Sequence, residues 1–553
     1  MAHARAWRAG PYGNRCSSVN HGGGRRGHVF GAAGSEGVRM RKWWPLAAIC
    51  LGTLMLLLDV TIVTVALPAM AMDLGTTLSD LEWVVDAYAL ALASLLLAVG
   101  SHADRIGRRK VYLVGLIVFT AASVACAVAP NAGVLIGARA VQGVGAAGMF
   151  GTTIALLGMH YKGRDRAVAF AVWGATNSVA AAAGPVVGGL LTQYLDWRWI
   201  FLVNLPVCLA AVVMTLRSVR EARGRGRRRA DVLGTVAFTV ASGTLTFGLI
   251  RAHSEGWTTP LTLGLFTTAA VALALFVAAE TRHEHPVLDL SLFRRPSFTG
   301  IMISALFLQG AAFAYLLYES LWMQSVLGYE PVEAGLYILP MCAAAFLASV
   351  LAGRFGPWQP RAAIAGGLAL IALGSGMQAT LDAGSSGSSL VAGLVVAGLG
   401  VGLVTPGLPA AALATVPPER GGMVGGAVNT FRQLGFALGI AVFGFIFQSR
   451  IEGVLKTDGR IPDPHEAAAV LSGGQARSFV AGWPEDERAE MTHLVREAFT
   501  SGLNTVLVVA AALGAAASLI TVALVRVPKA DARQQPEAGA IPGGQEPRAD
   551  AAL

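Results

Sequence analysis

The stretch GSHADRIGRRK, residues 100–110, packs one acid and four Lys or Arg residues into eleven positions. It stands between two apolar runs, 83–100 and 111–129; the second carries no charge and the first only Asp86. Each run is long enough to cross the ~30 Å hydrocarbon core of a bilayer as a helix. A turn this short then joins the two as an antiparallel pair. Backbone groups have no water to bind in that core, so the runs must be helical. The same alternation continues in both directions. It places helices at 44–67, 83–100, 111–129, 134–156, 167–192, 199–216, 232–250, 262–279, 299–325, 333–352, 362–381, 389–409, 423–447 and 502–525, fourteen in all.

Composition agrees. The 553 residues are 54% hydrophobic and 14% charged, with a mean hydropathy of +0.58. A soluble chain carries about 25% charge, and one with so little would expose large apolar patches. The fold class is therefore an all-α integral membrane protein. Five cysteines (Cys16, Cys50, Cys126, Cys208 and Cys342) are too sparse and scattered for a disulfide framework or a metal site.

Orientation follows from Lys and Arg. With a cytoplasmic N-terminus the inside segments hold 32 of them and the outside segments 8, six of the latter in the acid-rich 448–501 loop. Such a split places both termini in the cytoplasm. The basic run RSVREARGRGRRR, residues 217–229, then lies beside anionic lipid, so the net charge of +9 expresses topology rather than nucleic-acid binding. Residues 1–43 lack an apolar h-region before a cleavage site and read as a disordered cytoplasmic tail without a signal peptide. Residues 527–553 read as a second polar tail. Between them come a six-helix bundle (44–216), linkers with two additional helices (217–298), and a second bundle (299–526) with its large outer loop.

The two halves echo each other. Gly353-Arg354-Phe355-Gly356 is a degraded copy of the 100–110 loop, and Glu419-Arg420 mirrors Asp165-Arg166. Parallel six-helix repeats are a transporter layout. Six motifs in order then carry a family resemblance: the loop G-x-x-x-D-R-x-G-R-R at 100–109; LDVTIVTVALP at 58–68, with Thr64 where the family usually has Asn; Arg139-Ala-Val-Gln142-Gly143; Gly184-Pro185-x-x-Gly188-Gly189; WRWIFLVNLP at 197–206; and NTFRQLG at 429–435. The chain resembles the major facilitator superfamily, and within it the fourteen-helix drug:proton antiporters of the EmrB/QacA type. The resemblance covers about residues 44–526. It implies two six-helix bundles plus two extra central helices, and export of amphipathic, cationic or lipophilic compounds by alternating access. It also implies a proton gradient as energy source, no cofactor, no nucleic-acid partner and a monomer.

It further implies roles. Asp59 and Arg139 are expected to couple protons, and Gly100, Asp104, Arg105, Gly107, Arg108 and Arg109 to latch one conformation. Gly184, Pro185, Gly188 and Gly189 form the motif associated with antiporters. The residues support this independently. An ionisable group central in a membrane is costly and so usually faces a partner or cavity, and Asp104 suits a helix N-terminus. Asp86, Glu319 with Tyr315, Tyr318 and Trp322, and Arg432 with Gln433 are candidate substrate contacts, the aromatics suiting a lipophilic cation. The G-x-G-x-x-G at 143–148 lies in a spanning helix with no preceding strand, so it is no dinucleotide site. Alternative readings are a dedicated exporter of one endogenous metabolite or antibiotic, a transport-dead sensor, or a membrane enzyme; the helices offer no nucleophile–base set for the last.

Overall fold

Apolar runs of twenty or more residues leave the backbone only one way to satisfy itself, and the chain takes it throughout. The computed structural model describes residues 30–76, 78–221, 231–284, 286–354 and 360–526, and every regular element among them is helical. Fourteen helices are long and apolar enough to span: α1 (Arg41–Leu67), α2 (Trp83–Ile106), α3 (Arg108–Ala127), α4 (Ala132–His160), α5 (Gly163–Tyr194), α6 (Trp199–Ser218) and α7 (Val232–Ala252), followed by α8 (Pro260–Glu280), α9 (Pro296–Val326), α10 (Pro331–Gly353), α11 (Pro360–Gln378), α12 (Ser388–Leu413), α13 (Pro418–Leu455) and α14 (Arg488–Leu524). Each coincides with one read from the sequence. The N-terminal residues to 29, most of the basic run, Phe355-Gly356 of the degraded repeat and the C-terminal tail lie outside the described residues.

Three expectations need correction. The helix containing α1 begins at Phe30, so residues 30–43 are helical rather than tail. Once a helix is nucleated, each further residue adds a hydrogen bond at little cost. The 448–501 loop is expected from its sequence to be partly helical over 485–498 and is so, since α14 starts at Arg488. It is shorter than its hydropathy suggests at the other end as well, because α13 continues to Leu455. Hydropathy reports where a helix leaves lipid, not where it ends. Between them sit two short helices, Pro464–Ser472 and Ala476–Ala481, and Arg460 ties Asp458 to Glu490. Its hydrogen bond holds the Asp458 carboxyl down to about 2. Finally, α9 is broken: Pro296–Ala312 and Leu316–Leu321 are α-helical, and Trp322–Val326 is a π-helix.

Within the first six helices α4 packs against α2 and α3; within the last six, α11 and α10 pack on α12, and α14 on α9, α11 and α13. Contacts between these sets run through α2 with α13 and α5 with α10. The additional helices α7 and α8 pair with each other, and α7 leans on α2 and α13. Only 22% of the central window of α8 is buried, against 83% for α4, so α8 is peripheral and α4 central.

Glycine sets how closely helices approach. A Cβ on Gly400 of α12 would stand 2.3 Å from the Gly367 carbonyl oxygen of α11, and one on Gly374 2.5 Å from the Gly393 carbonyl. These are backbone atoms that cannot swing aside. Gly400→Leu is therefore expected to destabilise the protein by at least the ~1–3 kcal/mol of an overpacked core. The check is its thermal midpoint in detergent; an unchanged midpoint would refute this close packing.

Candidate functional site

Asp59 of α1 and Arg139 of α4 are both fully buried and form an ion pair. The pair is the centre of a network that joins five helices. One Asp59 oxygen accepts from Gln142 Nε2 of α4 at 2.9 Å and from Asn204 Nδ2 of α6 at 2.9 Å. Ser123 Oγ of α3 accepts from the same two amides at 2.9 and 3.2 Å. Arg139 also donates to Gln142 Oε1 at 2.8 Å and, through Nε, to the Val84 carbonyl of α2 at 2.9 Å. Its guanidinium lies 4.3 Å from the Tyr88 ring centroid, a cation–π contact. A carboxylate with a cation and two amide donors is well satisfied in a dry interior. The Asp59 charge is thus what α4 and α6 are held to.

A second charge cluster lies at the face expected to be cytoplasmic. Gly107, at φ 123°, makes the turn between α2 and α3 that L side chains rarely allow. Asp104, one turn earlier, reaches across to the first turn of α13. It accepts from the Gly422 and Met423 amides at 2.8 and 2.9 Å, and from Arg108 Nε at 2.7 Å. Arg108 also donates to the Pro418 carbonyl at 2.7 Å. Gly100 permits this approach, since a Cβ there would sit 2.6 Å from the Gly422 carbonyl. Arg105 is half-buried beside the cluster. Arg109 turns elsewhere, to the Leu216 carbonyl of α6 at 2.7 Å. Glu221 accepts from the Arg109 and Lys110 amides at 3.2 Å each, closing the start of α3. Arg420 pairs with Asp289, which follows α8, so the additional helices are tied to the same corner. Burial pushes the Asp289 carboxyl up, but hydrogen bonds from Ser291 and Arg420 prevail and hold it below the ordinary value.

The α5 motif forms a seam. A Cβ on Gly184 would meet Thr61 Oγ1 of α1 at 1.8 Å, and one on Gly188 the Ile62 carbonyl at 2.9 Å. Gly189 faces Val332 of α10. Two successive motif glycines thus seat α5 on α1 one turn from Asp59.

In the second half Glu319, Tyr315, Tyr318 and Trp322 are all buried at the break in α9. Tyr318 donates to the Ile440 carbonyl of α13 at 2.7 Å and stacks near Phe447, so its hydroxyl is engaged away from Glu319. Arg432 is buried and reaches Gln309 of α9 at 3.4 Å, while Gln433 and Asp86 are half-buried. None of these three is among the hydrogen-bond partners given for Asp59 above. Ser123 and Gln309 were not singled out from the sequence. Single small polar residues in apolar runs look the same whether they bind a charge or their own helix.

The sequence pattern of the Major Facilitator Superfamily matches residues 49–440. The chain is 35% identical over 478 residues to the multidrug resistance protein Stp of Mycobacterium tuberculosis, covering 84% of this chain and 89% of that protein. It is 32% identical over 502 residues to the tetracenomycin C resistance and export protein of Streptomyces glaucescens, covering 88% and 92%. Among solved structures it is similar to the human organic anion transporter MFSD10 (TETRAN), with a TM-score of 0.55 over 79% of this chain and 98% of that one. At 16% identity that likeness concerns the fold alone. With the helices, the repeat and these matches in agreement, the chain belongs to the Major Facilitator Superfamily.

Proposed function

We propose that this chain is a proton-coupled exporter of amphipathic small molecules, of the fourteen-helix drug:proton antiporter type, with both termini in the cytoplasm. The observation that carries it is the buried Asp59–Arg139 pair with its amide donors on α4 and α6. An intramembrane acid held this way is both a proton acceptor and a structural clamp. Its protonation from outside and deprotonation inside supply the alternation. A proton crossing ~150 mV releases about 3.5 kcal/mol, from ~2.3 kcal/mol per 100 mV. For a neutral cargo that is enough for a gradient of more than two orders of magnitude. A monovalent cation moving outward costs the same potential, so for it one proton supplies only the ΔpH, about 1.4 kcal/mol per unit. No cofactor enters the cycle. The buried acid and aromatics of α9 suit a lipophilic cation as cargo.

Export of the cationic dye ethidium in everted vesicles tests the reading. An inward-acid gradient is expected to drive dye accumulation, and a protonophore to abolish it. Accumulation that ignores the protonophore would remove the proton from the mechanism. A relative named for one compound, tetracenomycin C, favours a second reading, a dedicated exporter. A panel of cationic, neutral and anionic compounds separates the two, since activity on a single scaffold would replace the multidrug reading.

A further inference from the structure

Glu319 differs from Asp59 in kind. It is fully buried, and neither carboxyl oxygen has a hydrogen-bond partner among the described residues. Trp322 Nε1 of the same helix is also buried without a hydrogen-bond partner among the described residues. The Tyr315 hydroxyl is buried facing Ser375 and Gln378 of α11. Among the described residues Glu319 is in no ion pair, although Arg496 of α14, whose buried Nε has no partner, lines a cleft with Ser325 and Val326 of the π-helical turn. Arg432 of α13 turns to Gln309, and Arg488 of α14 donates to the Trp483 and Ala481 carbonyls. Glu333 of α10 and Arg477 of Ala476–Ala481 are exposed. Tyr315, one turn earlier on the same helix, feels the Glu319 charge, and the Tyr318 hydroxyl is engaged with Ile440.

An ionised carboxylate in a dry interior without a cation or donor is prohibitively unfavourable, and the group neutralises instead. The backbone is opened at the same place. The α-helix lapses after Ala312 and resumes as Leu316–Leu321, then widens to a π-helix over Trp322–Val326. Such widening is frequent at functional sites. A fully buried carboxyl group without a partner, beside an irregular segment of helix, marks a place built to hold something.

We propose that Glu319 is a second proton carrier, protonated in this conformation while Asp59 is ionised, and that Ser375 and Gln378 complete its site. This rests on the proton-coupled reading and deepens it. When the site opens, the Glu319 O–H bond breaks, the proton passes to water, and the carboxylate left behind takes up the cationic cargo. Ser375, Gln378 and Tyr315 then solvate that ion pair. The reverse exchange, cargo for proton, resets it. One turnover thus carries two protons, one in each half.

Purified full-length protein in proteoliposomes provides the test, with ethidium as probe and the membrane potential clamped at zero. The steady-state dye gradient is measured against imposed ΔpH. Each coupled proton contributes tenfold per pH unit. Wild type is expected to give about a hundredfold per unit, and Glu319→Gln, which also loses the counter-ion for ethidium and so fills more slowly, about tenfold at steady state. A hundredfold dependence retained in Glu319→Gln overturns the proposal. So does a tenfold dependence in wild type, where Asp59 alone would suffice; that result needs no variant to fold. Wild-type transport with no ΔpH dependence would instead sink the proton-coupled reading itself. Gln378→Leu keeps the acid and is expected to slow turnover about tenfold while leaving the wild-type slope. A slope reduced to that of Glu319→Gln would show only structural damage and count against its assigned place.

Discussion

Asp59→Asn lowers uphill export at least a hundredfold and destabilises the protein, and the two effects separate in a second variant. Asparagine still offers Arg139 an oxygen but no charge. The guanidinium, fully buried, is then uncompensated. Removing one partner of a buried ion pair costs about 3–5 kcal/mol. Replacing both, as in Asp59→Asn with Arg139→Gln, removes the stranded charge and is expected to recover most of that stability. It does not recover export, because the buried centre joining α1, α4 and α6 then has no group that changes charge. Thermal unfolding in detergent reads the first quantity and vesicle efflux the second. If Asp59→Asn exported normally with unchanged pH dependence, the coupling role would have to move elsewhere. If the double variant were no more stable than the single, the pair would not be the clamp described.

Asp104→Ala opens the corner between α2 and α13. Three donors lose their acceptor: the Gly422 and Met423 amides and Arg108, which is only 5% exposed. Hydrogen bonds to a charged group are worth about 1.5–3 kcal/mol each when lost. Water reaching the opened corner offsets part of this, leaving a shift of about 3 kcal/mol. At 1.4 kcal/mol per tenfold, the closed corner becomes about a hundredfold less favoured. Ala103→Cys reports it, because Ala103 is fully buried while the corner is closed. On a background without the five native cysteines, its labelling by a maleimide should accelerate sharply. Gly100→Leu should do the same for a different reason, a side chain driven into the Gly422 carbonyl. Asp104→Asn, which keeps an acceptor, should give a smaller change. Labelling that stays slow in both Asp104→Ala and Gly100→Leu would show that this contact does not govern the equilibrium.

Much of this site was legible in one dimension. Asp59 and Arg139 stand out because charge inside an apolar run is expensive, and Gly107 because a turn there needs positive φ. Asp104 stands out as an acid among bases. The partners did not stand out. Ser123, Gln309, Ser375 and Gln378 are ordinary residues until a helix distant in sequence presents an unsatisfied group to them. The break in α9 was invisible for a related reason: hydropathy is blind to hydrogen-bond register. Residues 299–325 are as apolar on either side of Phe313 as a straight helix would be.

What the sequence determined alone is the class, the fourteen spans and the family, because each depends on quantities summed along the chain: apolar length, charge per segment and motif order. Tertiary structure decided which charges are compensated. Asp59 meets Arg139 across 80 residues and Asp104 meets Gly422 across 318, while Glu319 has no hydrogen-bond partner among the described residues. An acid's cost in a membrane is written in its type and depth. Whether that cost is met by a cation, a helix terminus or a bound proton depends on what folding brings within about 3 Å.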